Sequence, residues 1–220
     1  RDAHGTCSAL PQAPDAMIPA TPAFPSRLPH VGTTIFTVMS ALASEQKADN
    51  LGQGFPDFDC DPQLVDAVTA AMQGGHNQYP PMPGAAPLRD AIAAKIAALY
   101  GRRYDATAEV TAGATQAILT AVLCCAGPGD EVIVLEPAYD SYVPSIELAG
   151  ATPVRVPLTP GTFRPDFDKL AAAITPRTRA LLVNSPHNPS GTCWSPEDMR
   201  RLDELLAPTD VLLISAEGYE

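Results

Sequence analysis

The chain has 220 residues, a formal net charge of −11, 45% hydrophobic residues and 18% charged residues. That size supports one substantial core, and the balance is ordinary for a globular domain. The negative charge argues against nucleic acid or an anionic membrane as partner. Five cysteines (Cys7, Cys60, Cys124, Cys125 and Cys193), odd in number and without C-x-x-C spacing, argue against a metal cluster or a disulfide framework and for a reducing cytoplasm. The longest apolar run, Ala117–Ala126, is too short to span a bilayer.

Residues 1–26, rich in proline and alanine and without periodicity, read as a disordered tail. Ile35–Lys47 fits a helix with Ile35, Val38, Met39 and Leu42 on one face. After the glycine-containing stretch Leu51–Phe58, Asp61-Pro62 opens a second helix with the stripe Leu64, Val65, Val68, Ala71 and Met72, ended by Gly74-Gly75. Asn77–Pro81 is a stiff extended connection, and Pro87–Tyr100 is a third helix. From Glu109 the rhythm becomes strand and helix in alternation. Strands are expected at Glu109–Thr111, Glu131–Leu135, Thr152–Val156, Ala180–Val183 and Val211–Ile214. Helices at about Thr115–Cys125, Tyr139–Leu148, Asp166–Ile174 and Pro196–Leu206 separate them. This alternation predicts an α/β fold with a mostly parallel sheet covered by helices on both faces.

Candidate chemistry falls just past the strand ends, where open α/β sheets bind ligands. Thr111–Gln116 joins a strand to a helix through small residues, so the first helical N–H groups can meet a phosphate; the alternative is a tight turn with a threonine N-cap. Tyr139, in Glu136–Tyr142, can stack on a flat heterocycle or serve as a half-buried packing residue. Asn188, in the doubly proline-stiffened Asn184–Gly191, can donate and accept hydrogen bonds in a fixed direction, or belong to an ordinary loop. Tyr219, in Ser215–Tyr219, is a hydrogen-bond donor at the same rim or part of a frayed terminus. Neither G-x-G-x-x-G after a strand nor G-x-x-x-x-G-K-[ST] occurs, which disfavours dinucleotide and P-loop sites.

The segments Leu51–Phe58, Asn77–Tyr79, Thr111–Ile118, Glu136–Tyr142, Asn184–Gly191 and Ser215–Tyr219 together resemble the class I/II aminotransferases, fold-type I enzymes dependent on pyridoxal 5'-phosphate. The nearest branch is the kynurenine and methionine aminotransferases. The resemblance implies the aspartate-aminotransferase-like fold, with an N-terminal arm and small-domain segment at 27–62 and a cofactor-binding large domain at 63–220. It implies that Gly113, Ala114 and Thr115 hold the cofactor phosphate, that Tyr139 stacks on its ring, and that Asn188 and Tyr219 bond its phenolic oxygen. It places Gly54 and Asn188 at the substrate carboxylate. Tyr79 would reach the phosphate of a second subunit, hence a homodimer. The implied reaction is transamination between an amino acid (methionine, glutamine or an aromatic one) and a 2-oxo acid.

Two departures from the family pattern shape the expectation. The family's Asp-Glu-x-Tyr loop, whose aspartate pairs with the cofactor's ring nitrogen, here has Ala216 at the aspartate position. The Schiff-base lysine of relatives lies beyond residue 220, and Lys47, Lys95 and Lys169 match no lysine motif. The chain is therefore expected to be a C-terminally truncated fragment, beginning at Arg1 rather than at a natural start. An inactive fragment or pseudoenzyme acting through dimerisation, and a carbon–sulfur lyase using the same early motifs, are the alternative functions.

Overall fold

The computed structural model describes residues 25–54, 56–103 and 109–218. Three helices come first: α1 (Ile35–Gln46), α2 (Pro62–Gln73) and α3 (Ala86–Tyr100). Their ends are set by local chemistry. The Thr34 and Asp61 side chains accept from first-turn N–H groups of α1 and α2, and Gly101 ends α3 in the left-handed conformation that glycine tolerates.

The remainder alternates as the sequence predicts: α4 (Ala114–Cys125), β1 (Glu131–Glu136), α5 (Tyr142–Ala149), β2 (Thr152–Pro157), α6 (Phe167–Ala173), β3 (Thr178–Asn184), α7 (Pro196–Leu206) and β4 (Leu212–Ala216). The four strands form a parallel sheet in the order β2-β1-β3-β4. The central strands β1 and β3 are almost wholly buried, with apolar runs at 132–135 and 180–183, because both of their faces are covered. Alternate side chains go to opposite sides. Ile133, Leu135, Leu181 and Val183 pack with Phe167 and Leu170 of α6 and Leu202 and Leu206 of α7. Val132, Val134, Ala180 and Leu182 pack with Ile118 and Val122 of α4 and Tyr142 and Ile146 of α5. Burying side chains of this size contributes about 1.5–3 kcal/mol each.

α7 begins with a reciprocal cap: Ser195 Oγ accepts from Asp198 N, and the Asp198 carboxylate accepts from Ser195 N at 2.8 Å. Arg164 pairs with the same carboxylate. Burial pushes the Asp198 carboxyl up, but the Ser195 hydrogen bonds and the Arg164 charge outweigh it, leaving the group below the usual aspartate range.

Two expectations are corrected. Residues 109–111 form no strand; Val110 N instead donates to Pro83 O at 3.0 Å. A strand is stabilised by ladder bonds to a neighbour, and no strand among the described residues lies beside this segment. The helix expected from Tyr139 starts only at Tyr142, because 139–141 make a turn in which Tyr142 N donates to Tyr139 O. Tyr139 thus sits in a loop rather than on a helix.

The connectivity creates a crevice. After β1 the chain crosses on one face through α5 to reach β2, and after β3 it crosses on the other face through α7 to reach β4. The loops leaving the carboxyl ends of the adjacent strands β1 and β3 therefore diverge. Such a switch point is where a parallel sheet accommodates a ligand.

Candidate active site

A cavity of about 470 Å³ opens at this switch point. Its wall is built from four segments: the start of α4 (Gly113, Ala114 and Thr115), the loop after β1 (Tyr139), the loop after β3 (Asn188) and the end of β4 (Ser215 to Gly218). Thr115, Tyr139 and Asn188 are 24 and 49 residues apart in sequence, yet they line one space.

Each segment presents its group for a local reason. Gly113 is the N-cap of α4 at φ 85°, a backbone conformation suited to glycine, and it offers no side chain to fill the approach. The N–H groups of Ala114 and Thr115 then have no helical carbonyl four residues back to bond. They stand at the positive end of the helix dipole, beside the Thr115 hydroxyl. Threonine is not the cap; it is the second helical residue. Upstream, Gln116 Oε1 accepts from Ala112 N at 2.6 Å and Thr111 Oγ1 donates to Gly113 O at 3.0 Å, which fixes the turn. Tyr139 is half-buried, with its ring in edge-to-face contact with Tyr142 at 6.0 Å.

Two residues without an assigned role in the sequence reading organise the far wall. Asn184, the last residue of β3, is buried; its Nδ2 donates to Ala216 O at 2.7 Å and its Oδ1 accepts from Asn188 N at 2.6 Å. One side chain thereby ties the end of β4 to the loop that carries Asn188. His187, also buried, has Nδ1 2.7 Å from Ser190 Oγ and Nε2 2.9 Å from Pro137 O. The signal that could have pointed to Asn184 is a polar side chain directly ending an apolar strand, where burial requires a partner; His187, three residues further on, carries no such signal.

Among the described lining residues Glu217 is the sole ionisable carboxylate, and Ser215 Oγ donates to its Oε1 at 2.8 Å. Ala216 adds only a methyl group to the wall. Gly54 and Tyr79 do not line the cavity; both are exposed, Tyr79 completely. Tyr219 lies outside the described residues. The described residues contain no group of three or more His, Cys, Asp or Glu side chains able to hold a metal, and no helix long and apolar enough to cross a membrane.

The family model described as aminotransferase class I and II matches residues 47–220. The chain belongs to the class I and II aminotransferases. Methionine aminotransferase of Escherichia coli is 47% identical over 197 residues, covering 89% of this chain and 51% of that protein. A solved Escherichia coli structure, reported to identify a methionine aminotransferase function, superposes with a TM-score of 0.86 at 46% identity, over 90% of this chain and 53% of that one. N-succinyldiaminopimelate aminotransferase from Mycobacterium tuberculosis superposes with a TM-score of 0.82 at 49% identity, over 88% of this chain and 51% of that one. The α/β architecture is thus that of the aspartate-aminotransferase-like fold, and the aminotransferases of this family depend on pyridoxal phosphate. The chain spans about half the length of the relatives it matches.

Proposed function

We propose that this chain supplies the cofactor-binding part of a pyridoxal-phosphate-dependent enzyme that moves an amino group between an amino acid and a 2-oxo acid. The observation that carries the reading is the convergence of Thr115, Tyr139 and Asn188 on one cavity at the carboxyl rim of the sheet. A flat phosphorylated heterocycle has three features to recognise, and the wall offers one group for each. The Ala114 and Thr115 N–H groups and the Thr115 hydroxyl, opening from Gly113, hold the phosphate. The Tyr139 ring covers one face of the heterocycle. Asn188 meets the phenolic oxygen and the substrate carboxylate, with Tyr219 as a second donor to that oxygen and Gly54 beside the carboxylate.

When bound, the cofactor supplies an electron sink for the breaking α C–H bond of the amino acid. The chain's own part is orientation: N–H groups fix one end of the ring, Tyr139 its plane and Asn188 its rotation. Ala216, at the end of β4, would supply no carboxylate to the cofactor's ring nitrogen. The enzyme works as a cytoplasmic homodimer in which Tyr79 extends to the phosphate site of the second copy. Methionine, named for the 47% identical relative, glutamine and aromatic amino acids are the donors to be tried.

The experiment titrates the full-length protein with pyridoxal 5'-phosphate, follows absorbance, and assays 2-oxo acid against pyruvate plus ammonia. Saturable binding and oxo-acid formation are expected. Thr115→Val removes a hydroxyl bonded to a charged group, worth about 1.5–3 kcal/mol, so binding should weaken about tenfold or more. Unchanged affinity in that variant contradicts the phosphate assignment, and pyruvate with ammonia as the product means elimination instead of transfer.

A further inference from the structure

His187 takes no place on the cavity wall, yet every polar atom it owns is committed. Its backbone N–H donates to Thr192 O at 2.9 Å, and its carbonyl accepts from Gly191 N at 2.7 Å, closing the loop on itself. The ring does something different. Nε2 faces the carbonyl oxygen of Pro137, 50 residues away in sequence. A carbonyl oxygen only accepts, so Nε2 must carry a hydrogen. In the neutral ring Nδ1 is then an acceptor, and the Ser190 hydroxyl donates to it across 2.7 Å while accepting from Thr192 N at 3.2 Å. One tautomer satisfies all partners, and it is the one that spans the switch point.

The bond joins the two diverging loops close to the groups they present. Pro137 is two residues from Tyr139, and His187 is adjacent to Asn188. Asn184 already holds the Asn188 loop to β4, but it makes no hydrogen bond to the loop after β1. The His187–Pro137 bond directly joins the loop after β1 to the loop after β3.

We propose that His187 is a positioning residue that sets the separation of Tyr139 and Asn188 across the cavity, through its Nε2–H bond to the Pro137 carbonyl. The proposal rests on the reading of the cavity as a cofactor site. A ring gripped on its face by one loop and at its oxygen by the other is held in one orientation only while the two loops keep a fixed spacing. A misplacement of about 1 Å at such a site can cost on the order of a hundredfold in rate.

The test exploits two amide side chains. Glutamine places its amide nitrogen near the position of Nε2, and asparagine places its own near Nδ1. In the full-length protein, His187→Asn should weaken pyridoxal 5'-phosphate binding about tenfold or more, the scale of lost orienting contacts behind a site, whereas His187→Gln should stay within about threefold of wild type. The circular dichroism induced in the cofactor's absorption band, which reports a single held orientation, should fade in the asparagine variant and persist in the glutamine variant. Hydrogen exchange of residues 137–142 should quicken with asparagine only, at matched thermal midpoints. Equal behaviour of the two variants overturns the proposal. Imidazole nitrogen chemical shifts of the wild type give a measurement independent of folding in the variants: an Nδ1–H tautomer overturns it as well. If wild type fails to bind the cofactor while the exchange pattern and tautomer hold, the bridge stands and the cofactor reading alone falls.

Discussion

The amino and carboxyl rims of the same sheet are built from opposite chemistry. On the amino rim, charged groups close on one another: Arg179 pairs with Asp130 at 2.8 Å, while Glu131 at the start of β1 takes both the Arg177 guanidinium and the Thr175 hydroxyl, the latter at 2.6 Å. On the carboxyl rim, the cavity is walled by small residues at the start of α4, hydroxyls, two tyrosine rings and carboxamides, with one carboxylate among its described residues. The first rim satisfies its polar groups internally and holds strands in register. On the second, the buried side chains of Asn184 and His187 are bonded beneath the wall, and the first residues of α4, Ala114 and Thr115, line the cavity. The contrast separates an end of the sheet closed by ion pairs from the end that holds the proposed cofactor site.

The largest break in that contrast should come from the support beneath the carboxyl rim. Asn184→Leu keeps the volume but removes the acceptor of Asn188 N and leaves Ala216 O with the Ser185 N–H alone, at about 1–3 kcal/mol for a buried group left unpaired. Urea unfolding should register the loss, and cofactor binding should fall more than stability alone explains because two walls of the cavity move. A variant that is destabilised yet binds normally would make Asn184 purely structural.

A smaller effect is expected at the amino rim and only in acid. The Thr175 hydrogen bond, and then Arg177, hold the Glu131 carboxyl below the ordinary glutamate range; the Arg179 hydrogen bond, and then the Gly127 N–H, do the same for Asp130. A carboxyl depressed in the folded state contributes stability that is complete above its unfolded value and is lost as pH falls through the folded one. Stability should therefore decline below the ordinary carboxylate range. Glu131→Gln should shallow that decline without altering cofactor binding at neutral pH. An unchanged acid slope would show that the Glu131 cluster carries no linkage.

Much of this was legible in the sequence. The uninterrupted apolar runs at 132–135 and 180–183 could only be strands covered on both faces, and Gly113 and Asn188 were visible as loop residues, whereas Tyr139 was expected to open a helix and lies in a loop. The element at 109–111 was not, because β-propensity is local whereas a strand's ladder bonds come from a neighbour that no local pattern reports. The amphipathic stripes of α1 and α2 were read correctly as helices, yet neither helix has a buried residue; Leu64 and Val68 are 58% and 51% exposed. Periodicity names a face but not what covers it. Asn184 and His187 escaped for a related reason. Their partners, Ala216 and Pro137, lie 32 and 50 residues away and are backbone carbonyls, which carry no mark in the residue types.

The most direct measurement is a crystal structure of the full-length protein grown with pyridoxal 5'-phosphate. Density for the phosphate at the Ala114 and Thr115 N–H groups, the ring against Tyr139 and the phenolic oxygen at Asn188 is the predicted result. A cofactor bound elsewhere, or seated with its phosphate away from the start of α4, would contradict the account.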